Sequence, residues 1–178
     1  MQYNTYINIQ KRIISMRQII FFIKTYITFV VMFMLQKPLF LWLEKGAAQS
    51  PVDSILGAMP SVIWHGLPLD LSMAGYLTVI PGFLLIAAYW FRQELIKPIL
   101  NTYFIIASLL VACGFVLNIG LYPYWGYPLD STPLFYFKTS PADALASAGF
   151  WQLLVAFVAC VVLTIGMAFA LRYRNGDN

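Results

Sequence analysis

Charged residues are scarce in this chain, since Asp, Glu, Lys and Arg together make up only 10% of its 178 residues. Soluble domains carry about 25%, so this sequence has too little charge to cover a water-exposed globule. Hydrophobic residues account for 61%, and the mean hydropathy is +0.75. The length fits one domain. We therefore predict an all-α polytopic membrane helix bundle of about four transmembrane helices, with short interfacial helices in its outer loops and the lipid bilayer as its main partner.

Residues that bind metals or catalyse reactions are equally few. His65 is the only histidine, the cysteines Cys113 and Cys160 fall in separate apolar runs, and the seven carboxylates are scattered. The sequence contains no Gly-x-Ser-x-Gly, His-Glu-x-x-His, Walker or Rossmann motif. Because metal catalysis needs about three converging ligands, we predict no catalytic residue, metal site or cofactor in this chain. We interpret the cysteines as small buried hydrophobes.

Four apolar runs are long enough to cross a bilayer, which takes about 20 helical residues. Lys24 and Lys37 interrupt the first run near its ends, where each can extend its ammonium group toward the interface. That run is long and lacks a nearby cleavage site, so we expect it to remain as an anchor. The predicted organisation is a basic tail at 1–18, a bundle at 19–172 with spans at 19–43, 71–91, 98–120 and 149–171, and a tail at 173–178.

The distribution of Lys and Arg predicts how the bundle is oriented. With the N-terminus in the cytoplasm, eight basic residues face the cytoplasm and three face outward, namely Lys37, Lys45 and Lys138. An excess of basic residues on the cytoplasmic side is typical of membrane proteins, so we expect both termini to be cytoplasmic. The basic residues flank apolar segments and form no stripe with interleaved aromatics, so we expect no nucleic-acid partner.

The first outer loop is predicted to cover 44–68. Its Ser-Pro-x-Asp pattern is typical of a helix start and predicts a short helix at about 51–58. Asp70 is placed to cap the second span, and Pro81, followed by a glycine, should kink that span near its middle. We therefore expect this part of the chain to consist of a loop, a short interfacial helix and a separate kinked span.

The two outer loops share the pattern Gly-x-Pro-Leu-Asp, which ends at Asp70 in the first loop and at Asp130 in the second. One interpretation is that each aspartate caps a helix entering the membrane. The alternative is that both aspartates meet in an outward-facing polar pocket. An ionisable residue at membrane depth would favour the pocket, but these two lie at the predicted boundary, where a charge costs little.

His65 and the aromatic run that contains Trp125 are further candidates for a role at this side of the membrane. Amphipathic rings prefer the membrane–water boundary, so an ordinary interfacial belt explains both. Contact with a phospholipid headgroup or a glycan is the functional alternative. The candidates for lipid or substrate contact are His65, Asp70, Trp125 and Asp130.

Two segments resemble a known family. They read HGLPLDLS at 65–72, continuing to Ile80-Pro81-Gly82, and YWGYPLDSTPLFYF at 124–137, followed by SPADALAS at 140–147. Together they resemble the membrane region of bacterial lipoteichoic-acid-synthase-like proteins over roughly 60–172. That family includes phosphoglycerol transferases of the sulfatase and alkaline phosphatase superfamily. The resemblance implies about five membrane helices in the bacterial cytoplasmic (inner) membrane. It also implies an extracytoplasmic catalytic domain with a divalent metal and a threonine nucleophile.

The chain departs from the family pattern after its fourth predicted span, and no residue matches the nucleophile or the metal ligands. A divalent metal would therefore belong to a missing domain. Four spans return the chain to the cytoplasm, so a fifth helix would be needed to place that domain outside. We expect a truncated family member, or a stand-alone remnant of its membrane part, that anchors an enzyme of cell-envelope glycan or lipid modification. The alternatives are a small transporter or channel subunit and a non-catalytic envelope assembly partner.

Overall fold

The computed structural model describes residues 2–43, 55–88, 93–126, 129, 135, 138–139 and 149–175. These residues form four long helices, α1 (Gln2–Leu43), α2 (Ile55–Ala87), α3 (Gln93–Trp125) and α4 (Phe150–Asn175). No strand occurs within the described ranges. The predicted all-α helix bundle is therefore confirmed.

Each of the four helices contains a segment that is long and apolar enough to cross a membrane. Their outward-facing surfaces carry large apolar side chains, such as Phe83 of α2, Leu110 of α3 and Phe157 of α4, whose side chain is 68% exposed. Exposing so many large apolar side chains to water would be unfavourable, whereas lipid tails solvate them. The chain is thus a multi-pass membrane protein. The four segments are Met16–Leu43, Met59–Ala87, Leu95–Pro123 and Phe150–Arg172.

Side-chain contacts define the relative directions of the helices. The rings of Phe21 and Phe104 are tilted relative to each other, with centroids 6.4 Å apart. The rings of Phe40 and Tyr122 meet edge to face, with centroids 5.0 Å apart. Helices α1 and α3 therefore run parallel, since contacts at both ends keep nearly the same register. Lys37 of α1 contacts Asp70 of α2. Helices α1 and α3 both end on the same side of the bundle, and we call this side the Lys37 end.

The centre of the bundle is apolar and closely packed. Phe29, Phe104 and Leu171 bring together α1, α3 and α4 and are almost completely buried. The small side chains of Ala74 and Ala107 join this cluster, as expected where membrane helices approach one another closely. The bundle is thus held by packing of complementary side chains, because lipid tails are themselves apolar and provide little hydrophobic driving force between helices.

Three buried threonine hydroxyls of the bundle donate hydrogen bonds within their own helices, whereas the buried Ser108 hydroxyl has no partner among the described residues. Thr78 donates to the Ala74 carbonyl oxygen at 2.8 Å, and Thr28 donates to the Lys24 carbonyl oxygen at 2.7 Å. In a lipid environment an unpaired hydroxyl is costly, and a bond to the carbonyl one turn earlier removes that cost.

Helix α2 differs from the prediction at its beginning. It starts at Ile55, so the predicted loop over 44–68 is wrong for 55–68. The predicted short helix at 51–58 lies outside the described residues at 51–54, and its remainder belongs to α2. Proline usually interrupts a helix, but α2 continues through Pro60 and Pro68. Neighbouring helices and side chains make proline tolerable in membrane helices.

Pro81 and Gly82 lie inside α2 at its contact with α1. Pro81 is almost completely buried. A Cβ atom added to Gly82 would approach the ring of Phe22 to 3.0 Å. The absence of a side chain at Gly82 thus allows the Phe22 ring to pack directly against the α2 backbone.

Candidate functional site

The most distinctive polar feature of the bundle is an ion pair between α1 and α2. Lys37 Nζ donates a hydrogen bond to Asp70 Oδ2. Only 7% of the Asp70 side chain and 19% of the Lys37 side chain are exposed. Two opposite charges are therefore largely withdrawn from solvent between two helices. Burial of such charges is tolerated only when they are paired, because an isolated ion loses its hydration without compensation.

Two predictions about this pair are wrong. Asp70 does not cap a helix, because α2 begins at Ile55 and carries Asp70 in its interior. Lys37 does not extend its ammonium group outward to the interface, because that group is bound to Asp70. The physical reason is the same in both cases. Each charge lies within an apolar segment, and pairing with the other removes the cost of leaving it alone there.

Gly66 makes room for the lysine. It lies one helical turn before Asp70, so both residues are on the same face of α2. A Cβ atom added to Gly66 would overlap the Nζ and Cε atoms of Lys37. The first copy of the Gly-x-Pro-Leu-Asp motif thus forms the site on α2 that binds the Lys37 side chain. Gly66 leaves the backbone surface open, and Asp70 provides the hydrogen-bond acceptor.

The second copy of this motif has a different local structure. Helix α3 ends at Trp125, and Gly126 adopts a left-handed conformation with φ of +72°. Its N–H donates to the Tyr122 carbonyl oxygen at 2.8 Å, as in a common helix C-cap. Three residues later, the Leu129 N–H donates to Asn118 Oδ1 at 2.6 Å. Asn118 therefore fastens the chain beyond α3 back onto that helix.

These two copies are similar in sequence but not in conformation. Gly66 lies inside a continuous helix, whereas Gly126 terminates one. Asp130 lies outside the described residues, so its meeting with Asp70 in a polar pocket stays a prediction. Trp125 is the final residue of α3, and the contact proposed for its side chain also stays a prediction.

His65 is exposed and directs its ring to its own helix. Its Nδ1 lies 2.8 Å from the Ser61 carbonyl oxygen and 3.3 Å from Ser61 Oγ. Since a carbonyl oxygen can only accept, Nδ1 carries the hydrogen in this arrangement, and in the neutral ring Nε2 is left as an acceptor. The adjacent Trp64 is 73% exposed. This surface can therefore offer a polar acceptor beside a large amphipathic ring.

The side-chain amide of Gln36 is buried next to the ion pair along the chain. Gln36 precedes Lys37, and its Nε2 is buried without a hydrogen-bond partner in the described part of the chain. A buried donor that lacks an acceptor costs about 1–3 kcal/mol. Gln36 therefore adds a donor with unused capacity to the same turn of α1.

Metal binding has no support in the ranges that the structure describes. No group of three His, Cys, Asp or Glu side chains there is close enough to hold a metal ion. The Asp70 carboxylate, the nearest candidate ligand to His65 along the chain, is already bound by Lys37.

Sequence reasoning identified Asp70 as a candidate but missed its partner Lys37 and missed Asn118. A signal for the ion pair was present, since Lys37 and Asp70 carry opposite charges and lie near the same predicted end of the first two spans. No corresponding signal marked Asn118, because an asparagine near the end of a span is common and its acceptor role depends on where the following loop returns.

Comparison with family models, curated proteins and solved structures finds no match. The fold and the ion pair therefore define the class of protein by themselves. It is a multi-pass membrane protein whose described ranges form four long helices, two of which are joined by a buried ion pair.

Proposed function

We propose that this chain is the membrane-anchoring bundle of a lipoteichoic-acid-synthase-like protein of the phosphoglycerol transferase and sulfatase family. It would act in the modification of cell-envelope glycans or lipids at the bacterial cytoplasmic membrane. Catalysis, with its divalent metal, would belong to a domain outside these 178 residues. The observation that carries the proposal is the contact of Lys37 with Gly66 and Asp70. Both belong to the family-like motif, and both join α1 to α2.

A structural role for this motif favours an anchor over an enzyme. A carboxylate that is bound by a lysine and largely buried is poorly placed to act on a substrate in solution. It is well placed to hold two helices in one register, because removal of either charge would leave the other buried and unpaired. We infer that the motif maintains the geometry of a platform on which a catalytic domain acts.

The distribution of basic residues supports an orientation in which the Lys37 end faces away from the cytoplasm, with both termini inside. Exposed amphipathic side chains then lie on the extracytoplasmic side, where enzymes of this family would work. Trp64 and His65 of α2 and Trp151 of α4 are all exposed. Trp151 lies at this end because α4 runs antiparallel to α3, with Leu171 in the cluster of Phe104 and Cys160 beside Cys113. We propose that they contact phospholipid headgroups and so present lipid close to the catalytic domain.

A small transporter or channel subunit is the second candidate. Such proteins carry polar or charged groups along a path through the membrane. Here the buried centre is formed by Phe29, Phe104 and Leu171, and the buried charges of Lys37 and Asp70 neutralise each other. These features favour the anchor. Measurement of ion and solute flux in proteoliposomes separates the two, since the anchor should give no flux above that of protein-free vesicles.

The gene provides the direct test of the proposed function. We expect the reading frame beyond codon 178 to encode a further apolar span and a metal-binding hydrolase domain. Continuous, unrelated coding sequence at that place would overturn the proposal. In that case, isolation of a stable complex from detergent-solubilised membranes would favour a non-catalytic envelope assembly partner instead.

A further inference from the structure

The two cysteines of the chain meet between α3 and α4. Cys113 Sγ lies 3.1 Å from Cys160 Sγ, and both are free thiols with partly exposed side chains. They are 47 residues apart in sequence, so only the packing of the two helices brings them together. The sequence prediction treated each as an isolated small hydrophobe.

Both sulfur atoms lie well inside the apolar part of the bundle. Cys113 belongs to the segment Leu95–Pro123, and Cys160 is near the middle of Phe150–Arg172. Water-soluble oxidants and thiol reagents have little access to this depth. A lipid-soluble molecule, by contrast, can reach thiols that remain partly exposed on the lipid-facing side of a helix pair.

The geometry is close to that required for a covalent bond. A disulfide has an S–S distance of about 2.05 Å, so the sulfur atoms would need to approach by about 1 Å. That movement can be shared between two side chains on separate helices. Forming this disulfide would also cost little conformational entropy, because the packing of α3 and α4 already holds the two sulfur atoms in contact.

We propose that Cys113 and Cys160 form an intramembrane redox site that closes to a disulfide between α3 and α4. Each thiol loses one proton and one electron, and a sulfur–sulfur bond replaces the two S–H bonds. A lipid-soluble acceptor of the quinone class takes up both electrons and both protons and becomes the hydroquinone. This site is independent of the proposed function, because it uses neither the Gly-x-Pro-Leu-Asp motifs nor the ion pair.

The test uses the full chain in phosphatidylcholine vesicles, treated with a short-chain benzoquinone under argon. After the reaction, the protein is unfolded in detergent and its free thiols are alkylated and counted by intact-mass spectrometry. We expect both thiols to be lost, one hydroquinone to form per chain, and the product to remain monomeric on a non-reducing gel. Addition of a reductant should restore both thiols.

Two single variants serve as controls, Cys113→Ser and Cys160→Ser. Each removes one sulfur from the contact, and each should leave the remaining thiol fully alkylated and produce no hydroquinone. Two results would overturn the proposal. The first is that both wild-type thiols survive the quinone, even if molecular iodine, which oxidises the pair to a disulfide with release of hydrogen iodide, joins them. The second is that the quinone joins different chains rather than α3 and α4 of one chain.

Discussion

The ammonium group of Lys37 in α1 is bound to the carboxylate of Asp70 in α2, and both side chains are largely buried. This contact joins two helices that run antiparallel, since Gly66 lies beside Lys37 and Gly82 beside Phe22. Gly66 is part of the same arrangement, because its lack of a side chain lets the lysine lie against α2. The contact explains how Lys37 and Asp70 are accommodated in two largely apolar segments.

Replacement of Asp70 by Asn should destabilise the bundle. Asn is similar in size but cannot neutralise Lys37, and breaking a buried ion pair in this way costs about 3–5 kcal/mol. We expect about 3 kcal/mol, the lower end, because Lys37 keeps 19% of its side chain exposed. Reversible unfolding of the purified protein in mixed micelles, followed by circular dichroism, measures the change.

The matched control removes both charges together, with Lys37→Met and Asp70→Leu. Apolar residues of similar volume often replace a buried ion pair without loss of stability. The double variant should therefore be more stable than Asp70→Asn alone. Equal losses in the single and double variants would mean that the pair contributes no specific electrostatic interaction.

Replacement of Gly66 by Ala should weaken the same contact from the other side. The added methyl group overlaps the end of the Lys37 side chain and would push the ammonium group away from Asp70. Gly75→Ala is the control in the same helix, because a Cβ atom there meets nothing within 4 Å. In helix interiors Ala is favoured over Gly by about 1 kcal/mol, so Gly75→Ala should be neutral or stabilising and Gly66→Ala destabilising.

The effect at Gly66 should depend on the lysine. In a Lys37→Ala background no side chain occupies the space beside Gly66, so Gly66→Ala should behave like Gly75→Ala. Thermal unfolding in one detergent of the wild type, Gly66→Ala, Lys37→Ala and the double variant provides this comparison. A Gly66→Ala variant that is as destabilising without Lys37 as with it would place the origin of the effect elsewhere.

Replacement of Asn118 by Ala should release the chain that follows α3. The Leu129 N–H would lose the acceptor that it contacts at 2.6 Å, at a cost of about 1 kcal/mol. Hydrogen exchange of peptides covering 126–130 should become faster by roughly fivefold, which corresponds to that free energy. Asn118→Asp keeps an acceptor oxygen and should retain most of the protection. Unchanged exchange in the Ala variant would show that the bond does not restrain this segment.

The number and type of the helices can be predicted from the sequence because a bilayer imposes a simple requirement of length and apolarity. The beginning of α2 could not be predicted in the same way. Pro60 and Pro68 indicate a loop by local preference, but both lie inside α2. Local preference is outweighed here because the backbone of a helix that enters a membrane must satisfy its own hydrogen bonds.

The contacts between helices were largely beyond prediction. Hydropathy identifies which segments cross the membrane, but it contains no information on the register between them. The pairing of Lys37 with Asp70 and the meeting of Cys113 with Cys160 both depend on that register. The ion pair could have been inferred from two opposite charges at one end of adjacent antiparallel spans. Nothing in the two separate apolar runs identified the cysteines as neighbours.

We propose that the four described helices cross the membrane with the Lys37 end on the extracytoplasmic side. Two exposed positions at opposite ends of the bundle test it, His65→Cys in α2 and Lys97→Cys in α3, each in a background with Cys113→Ser and Cys160→Ser. A membrane-impermeant maleimide is added to spheroplasts before and after permeabilisation. We expect His65→Cys to be labelled in both samples and Lys97→Cys to be labelled only after permeabilisation. Labelling of both positions before permeabilisation, or the reverse pattern, would contradict it.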